Sequence, residues 1–380
     1  MDIVTHSSLA FDYSNPRQPI YARKTHETRK RLEHEIAQYY QCDEQKVSCS
    51  VCVSGLAAIS IVVYECAQCT SDDEVYFIFS DELYSETVKA ARYVTRNFLN
   101  IKFDFVNSQN VLSCFKKYGK SIKLLFIESC SNPSGQIFDF ALFKTLKELA
   151  PDYLLVADNT WTPAPSFNPL QFGADVVIES LTKYRSAGKC IGGMIVSNLE
   201  FINKVNEFQK CFGQFIARDH CVLFLTNLQS LESRLITISQ RTREVLDFLC
   251  TNKDVYKVVH PSLESHPSHS IFNKYIKYVP GCIWIFVKAK CDSFKRLQKV
   301  KKQLQRQCIE NCQDLHFKTS YGGSDSRIDP FISSGQACMY GVNDGDNAQG
   351  IWLRLAIGFE SDLKQLCIDL QKIFLAIQSL

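Results

Sequence analysis

Short apolar runs alternate with amphipathic stretches along most of the chain. The runs are Val75–Phe79, Leu124–Ile127, Leu154–Ala157, Val176–Ile178 and Met194–Val196. Each has strand length, and most are continuously apolar, as expected of strands buried on both faces of a mostly parallel sheet. Between them Glu86–Phe98 and Phe140–Leu149 have helical character, and Thr28 to Tyr40 spaces Leu32, Ile36 and Tyr39 or Tyr40 as one helix face. Phe201 to Leu249 predicts a mostly helical linker between two domains. Beyond it, Ile283–Val287 and Trp352–Ile357 predict strands, and Leu363–Ile377 predicts an amphipathic helix with Leu366, Leu370 and Phe374 among its apolar positions. The pattern is α/β, with a smaller α+β domain from about residue 240. Residues 1–25, with Pro16 and Pro19 and no periodicity, are expected to form an arm.

A length of 380 residues favours two domains over one core. The composition, 46% hydrophobic and 22% charged, is that of an ordinary globular protein, and a net charge of +3 without a long basic block gives little support to nucleic-acid binding. The N-terminus has no signal-peptide pattern and no stretch approaches a membrane span, so a cytoplasmic location is expected. Cys49-x-x-Cys52 and Cys66-x-x-Cys69 approach a zinc-ribbon spacing, but the apolar, helix-like segment Val53–Tyr64 between them is unlike a zinc knuckle. Most of the 17 cysteines are expected to be reduced core thiols, with no metal site.

Ligands in α/β sheets bind beyond the carboxyl ends of the strands. There the chain places Glu128-Ser129-Cys130-Ser131-Asn132-Pro133, Asp158-Asn159-Thr160 and Glu179-Ser180-Leu181-Thr182-Lys183-Tyr184, while Ser54-Gly55-Leu56 opens a helix. An acid, a lysine, hydroxyls and a helix N-terminus suit pyridoxal 5′-phosphate (PLP). The lysine would form an imine, the carboxylate would keep the pyridine nitrogen protonated, and backbone N–H groups would receive the phosphate.

These motifs resemble the cystathionine synthase/lyase family of trans-sulfuration enzymes, the Cys/Met-metabolism PLP enzymes, from about Tyr21 to Glu360. The resemblance implies an aspartate-aminotransferase-like (type I) PLP fold. It would comprise an N-terminal arm and helix (1–45) contacting a neighbouring subunit, a PLP-binding large domain (46–240) and a C-terminal substrate-carboxylate domain (241–380). It implies Lys183 as the Schiff-base lysine and Cα base, and Asp158 as the partner of the pyridine nitrogen. Ser54, Gly55, Leu56, Ser180 and Thr182 would surround the phosphate, Tyr84 would stack on the ring, and Asn132 would meet the phenolic oxygen. Tyr21 and Arg23, in a YxR element, would reach the phosphate from the neighbouring subunit of a homodimer, itself half of a dimer-of-dimers tetramer. Arg354 and Ser320 would hold the substrate carboxylate, with Asn132 and Tyr21 also binding substrate, and Tyr84 and Tyr21 would join Lys183 in catalysis. The histidines from His260 to His269 would lie in a surface loop and are not expected to be ligands.

Three segments depart from the family pattern. After Lys183 the chain reads Tyr184-Arg185-Ser186-Ala187-Gly188-Lys189 and lacks the usual Gly-His-x-Asp. Thr226-Asn227-Leu228-Gln229-Ser230-Leu231 lacks the family's arginine, and Glu86 replaces a small residue or cysteine. Tyr321-Gly322-Gly323 and Trp161 resemble the cystathionine β-lyases, whereas Ser131-Asn132-Pro133 resembles the γ-branch. The expected activity is β- or γ-elimination from a sulfur amino acid such as cystathionine. The alternatives are a γ-replacement synthase acting on an activated homoserine and a catalytically silent PLP-binding partner subunit.

Overall fold

The computed structural model describes residues 25–41, 46–70, 73–288, 294–330 and 350–378. They fall into two compact units, one comprising the residues up to Ser129 with Phe138–Gln229, the other Cys130–Ile137 with the residues from Ser230 onward.

The first unit begins with α1 (Glu27–Tyr39), β1 (Val47–Cys52), α2 (Gly55–Gln68), β2 (Val75–Ser80), α3 (Ser85–Val94), β3 (Ile101–Val106) and α4 (Val111–Tyr118). It continues through β4 (Ile122–Glu128), α5 (Leu142–Leu149), β5 (Leu154–Asp158), β6 (Val176–Glu179), β7 (Gly193–Asn198), α6 (Leu199–Phe212) and α7 (Arg218–Leu228). Seven strands form one sheet in the order β1-β7-β6-β5-β4-β2-β3. Only β7 runs against its neighbours β1 and β6, so the other six strands share one carboxyl edge. The continuously apolar runs of β2, β4, β5 and β6 are buried as their sequence predicts, because helices cover the sheet. On one side α2, apolar around most of its circumference, joins Phe77, Phe79, Leu124, Phe126, Val156, Val176 and Ile178 in a single core.

The strands β1 (VSCSVC) and β3 (IKFDFV) escaped the apolar-run criterion because polar residues interrupt both. Helix α3 ends at Val94, short of the expected Phe98. The Thr95 hydroxyl and N–H both turn back to Ala91 O, and Phe98 N–H donates to Thr95 O as the chain turns into β3. Helix α5 starts at Leu142 rather than Phe140, since Asp139 first closes a turn by accepting Ala141 N–H.

The second unit contains α8 (Leu231–Thr251), β8 (Val255–Val259), α9 (His269–Tyr275), β9 (Cys282–Lys288), α10 (Phe294–Asn311), β10 (Leu315–Phe317), β11 (Ser326–Pro330), β12 (Gly350–Ala356) and α11 (Leu363–Gln378). The expected linker at Phe201–Leu249 is thus three helices, α6, α7 and α8. The sheet order is β10-β11-β12-β9-β8, antiparallel except for β10 with β11. Alternation along β9 sends Ile283, Ile285 and Val287 into a core with Leu366, Leu370 and Phe374 of α11. Trp284 and Phe286 point to the other face, where Trp284 stacks on Trp352 with ring centroids 3.8 Å apart. Among the described residues no helix is long and apolar enough to cross a membrane.

Candidate active site

The shared carboxyl edge of the first unit gathers the residues that the motifs single out. Ser54 caps α2, its Oγ accepting Ala57 N–H at 3.0 Å, while Ala58 N–H bonds to Ser54 O. The N–H groups of Gly55 and Leu56 make no hydrogen bond among the described residues, which leaves a helix N-terminus ready for an anion. A Cβ on Gly55 would lie 2.7 Å from Ser180 Cβ, and one on Gly193 would lie 2.1 Å from Ser54 O. Both glycines are needed for the backbones to approach this closely. Ser180 Oγ, beside this helix start, makes no hydrogen bond among the described residues, whereas its N–H donates to Thr160 Oγ1 at 2.8 Å. Thr182 Oγ1 is engaged by the Gly192 peptide, donating to its carbonyl and accepting its N–H, both at 3.2 Å. Of the two hydroxyls, that of Ser180 is the uncommitted one.

Asp158 ends β5 at this edge. Its Oδ1 accepts Thr160 N–H at 3.0 Å and the Thr160 hydroxyl at 2.5 Å, while Oδ2 makes no hydrogen bond among the described residues. Burial pushes the carboxyl up to about 6. The Thr160 hydrogen bonds and the Lys183 ammonium offset part of the rise, and Glu179 adds to it. Lys183 is half-buried at the start of a short 3₁₀ turn, Tyr184–Ser186, which is closed by Ser186 N–H on Leu181 O and by the Ser186 hydroxyl on Thr182 O. Tyr84 lies at the start of α3 and is 47% exposed, so its ring is available to cover a planar ligand.

In the second unit, Arg354 lies mid-strand in β12. Its Nη2 pairs with Asp329 Oδ2 at 3.2 Å, across the β11–β12 register, and its Nη1 donates to Asn132 Oδ1 at 3.3 Å. Asn132 belongs to the segment Cys130–Ile137, which the His260–His269 loop holds. His266 Nε2 meets Ser134 O at 2.9 Å, and Ile137 N–H donates to Ser268 Oγ at 3.0 Å. Burial pushes His266 down to about 4 and His260 down to about 3, so both rings are neutral structural groups. Ser320 sits at φ +77°, a region that favours glycine. Arg327 braces its loop, donating to Thr319 O at 3.2 Å and pairing with Asp325 at 2.8 Å.

The family model of the Cys/Met metabolism PLP-dependent enzymes matches residues 2–375. The chain belongs to that family. Its cofactor is pyridoxal 5′-phosphate, and it is an enzyme. Cystathionine γ-lyase of Dictyostelium discoideum is 28% identical over 367 residues, covering 93% of this chain and 86% of that protein. Cystathionine β-lyase of Coxiella burnetii is 28% identical over 298 residues, covering 75% and 72% respectively. The crystal structure of cystathionine γ-lyase from Lactobacillus plantarum complexed with L-serine superposes with a TM-score of 0.81 at 20% identity, covering 99% of this chain and 93% of that one. The fold is therefore the one expected from the motifs.

Within this family member, Ser54, Gly55, Leu56, Tyr84, Asp158, Ser180, Thr182 and Lys183 share one sheet edge, and Asn132 and Arg354 meet in the second unit. Tyr21 and Arg23 lie outside the described residues. Two residues that the motifs did not single out also shape the edge. Glu128, at the end of β4 and in register with Asp158, accepts the Tyr84 N–H at 2.6 Å and so places the ring-bearing turn. Its signal was an acid directly after an apolar strand. Arg185 is buried and grips Glu179 with two hydrogen bonds, Nε to Oε2 at 2.6 Å and Nη2 to Oε1 at 2.9 Å. Its signal was an arginine in the segment after Lys183 that departs from the family pattern. Cys52 and Cys66 belong to the hydrophobic core and Cys69 is exposed, and all three are free thiols.

Proposed function

We propose that the chain is a carbon–sulfur lyase, working by β- or γ-elimination on a sulfur-containing amino acid such as cystathionine. The observation that carries this reading is the pair at the sheet edge: Asp158 has one oxygen saturated by Thr160 and the other open, with the Lys183 ammonium in electrostatic reach. The free N–H groups of Gly55 and Leu56 and the uncommitted Ser180 hydroxyl fit a phosphate, so the residues present suit the family's cofactor. The lyase names of the curated relatives, and L-methionine γ-lyase of Fusobacterium nucleatum at 26% identity, favour elimination.

Bound pyridoxal 5′-phosphate supplies an electron sink for the charge left when a Cα proton departs. Asp158 holds the proton on the ring nitrogen, and Tyr84 covers the ring. Ser54, Gly55, Leu56, Ser180 and Thr182 receive the phosphate, the Thr182 hydroxyl after turning from Gly192 O. Lys183 Nζ anchors the cofactor and then moves the Cα proton of the substrate. Asn132 takes the phenolic oxygen, and Arg354 and Ser320 take the substrate carboxylate. Tyr21 and Arg23 complete the phosphate site of a neighbouring subunit in a homodimer, paired into a tetramer. The division of labour assigns the arm and first helix (1–45) to subunit contact, 46–240 to the cofactor and 241–380 to the substrate carboxylate. A cytoplasmic location goes with the free thiols.

The test is incubation of the holoenzyme with cystathionine and a panel of other sulfur amino acids, with no second substrate and with Lys183→Ala as the blank. The expected result is keto-acid release that the blank lacks. Keto acid or thioether appearing only after a thiol and an activated homoserine are supplied would make the protein a synthase instead. Absence of Cα deuterium exchange with every amino acid tried would make it a silent partner subunit.

A further inference from the structure

Two carboxylates end the neighbouring strands β5 and β6, and they are treated differently. Asp158 keeps one oxygen open. Glu179, 1% exposed, has both oxygens taken: Oε2 by Arg185 Nε, and Oε1 by Arg185 Nη2 and the Tyr40 hydroxyl. The rest of the cluster is equally enclosed. Asn159 Nδ2 donates to Tyr40 Oη at 3.1 Å and to Phe167 O at 2.9 Å. Arg185 Nη2 also reaches Ala164 O at 3.2 Å, and its guanidinium carbon lies 5.1 Å from the Tyr39 ring centroid. Arg185 stands in the segment that departs from the family pattern, inside the short turn that follows Lys183.

A bidentate arginine–carboxylate pair, buried and hydrogen-bonded, offsets much of the charge of Glu179, which even so raises Asp158. Without it, a bare carboxylate at the end of β6 would disfavour ionisation of its neighbour and compete for protons at the same edge. We propose that Arg185 is a positioning residue of the cofactor site, holding Glu179 as a closed ion pair so that Asp158 stays ionised and accepts the hydrogen bond of the protonated ring nitrogen. This rests on the assignment of Asp158 made above. The charged and titratable groups facing Glu179 are Arg185 from the turn, Tyr40 just after α1, Asp158 from β5 and Cys49 from β1; those acting on Asp158 are Thr160, Glu179 and Lys183. Burial works against the charge of Arg185, yet Glu179 more than offsets it and holds the guanidinium above its ordinary range.

The experiment measures equilibrium binding of pyridoxal 5′-phosphate against pH in a Lys183→Ala background, where binding is noncovalent and the lysine's own titration is removed. Ionisation of the ligand phosphate is common to every variant, so differences in midpoint report the protein. Glu179→Gln leaves Arg185 uncompensated and lowers the midpoint, whereas Arg185→Met leaves Glu179 uncompensated and raises it, each by about half a unit to one unit. The double variant returns close to the parent. A purely structural pair would move both single variants the same way or not at all. That result, with Asp158→Asn removing the pH-dependent step, overturns the role of Arg185 alone. A pH-dependent step that survives in Asp158→Asn overturns the Asp158 assignment and the proposal with it. If Arg185→Met does not fold, Glu179→Gln decides: a lowered midpoint supports the proposal, and an unchanged or raised one overturns it.

Discussion

The ends of β5 and β6 carry two acids one strand apart in the same sheet edge, yet only one of them is available for chemistry. Asp158 is tethered through a single oxygen by Thr160, and its other oxygen is open. Glu179 is enclosed by Arg185 and Tyr40. The difference lies in the partners, since both are carboxylates following apolar strands. A neutral hydroxyl and an N–H orient a carboxylate without neutralising it; a guanidinium pairs with it and occupies its oxygens, although Glu179 still raises Asp158.

Removing the lysine proposed to carry the cofactor has the largest expected effect on this comparison. Lys183→Ala is expected to lower keto-acid release by at least about 10³-fold while leaving the folded protein intact, since base and anchor are lost together. Arg185→Ala, which exposes Glu179 as a bare buried charge, is expected to destabilise the protein by about 3–5 kcal/mol in urea unfolding, and Glu179→Gln/Arg185→Met to recover much of that loss.

Asp158 supplies the contrasting case. Its carboxyl is raised in the folded protein to about 6, so the folded state binds the proton more readily than the unfolded chain. The penalty is absent below the unfolded value and fully felt once pH rises through about 6. Asp158→Asn in the cofactor-free protein is therefore expected to stabilise by up to about 2–3 kcal/mol near neutrality, with the gain vanishing below about pH 4. Parallel urea titrations at the two pH values check this. If Asp158 is the ring partner, as proposed, it must be ionised, and cofactor affinity of the unaltered protein is expected to fall as pH drops through about 6, a loss absent in Asp158→Asn. The smallest effect is expected from Glu128→Gln, which weakens a charge-assisted bond to Tyr84 N–H. Cofactor affinity should fall only about 2–10-fold, as read by equilibrium binding.

Much of the sheet edge that carries the candidate site was legible in the sequence because its requirements are local. Asp158, Ser180, Thr182 and Lys183 directly follow apolar strands, and Ser54-Gly55 opens an apolar helix, so strand polarity alone brings them to one edge. Arg185 was visible only as a break in a motif, since its partners Glu179, Tyr40 and Ala164 converge through tertiary packing. Glu128 was missed for a similar reason: its role depends on the neighbouring β2–α3 turn. Strands β1 and β3 were hidden by serines, cysteines and charges at a period that mimics loop composition, although pairing partners hold them in the sheet. Arg354 was legible as a charge out of place in an apolar strand, but its pairing with Asp329 came from the β11–β12 register.

The claim on which the rest depends is that the lysine beside Asp158 carries the cofactor. Borohydride reduction of the holoenzyme, followed by proteolysis and peptide mass measurement, tests it most directly. The expected result is one reduced pyridoxyl group on the peptide containing Lys183, absent from Lys183→Ala. Labelling of a different lysine, or a holoenzyme in which Lys183 stays unmodified, would contradict the account.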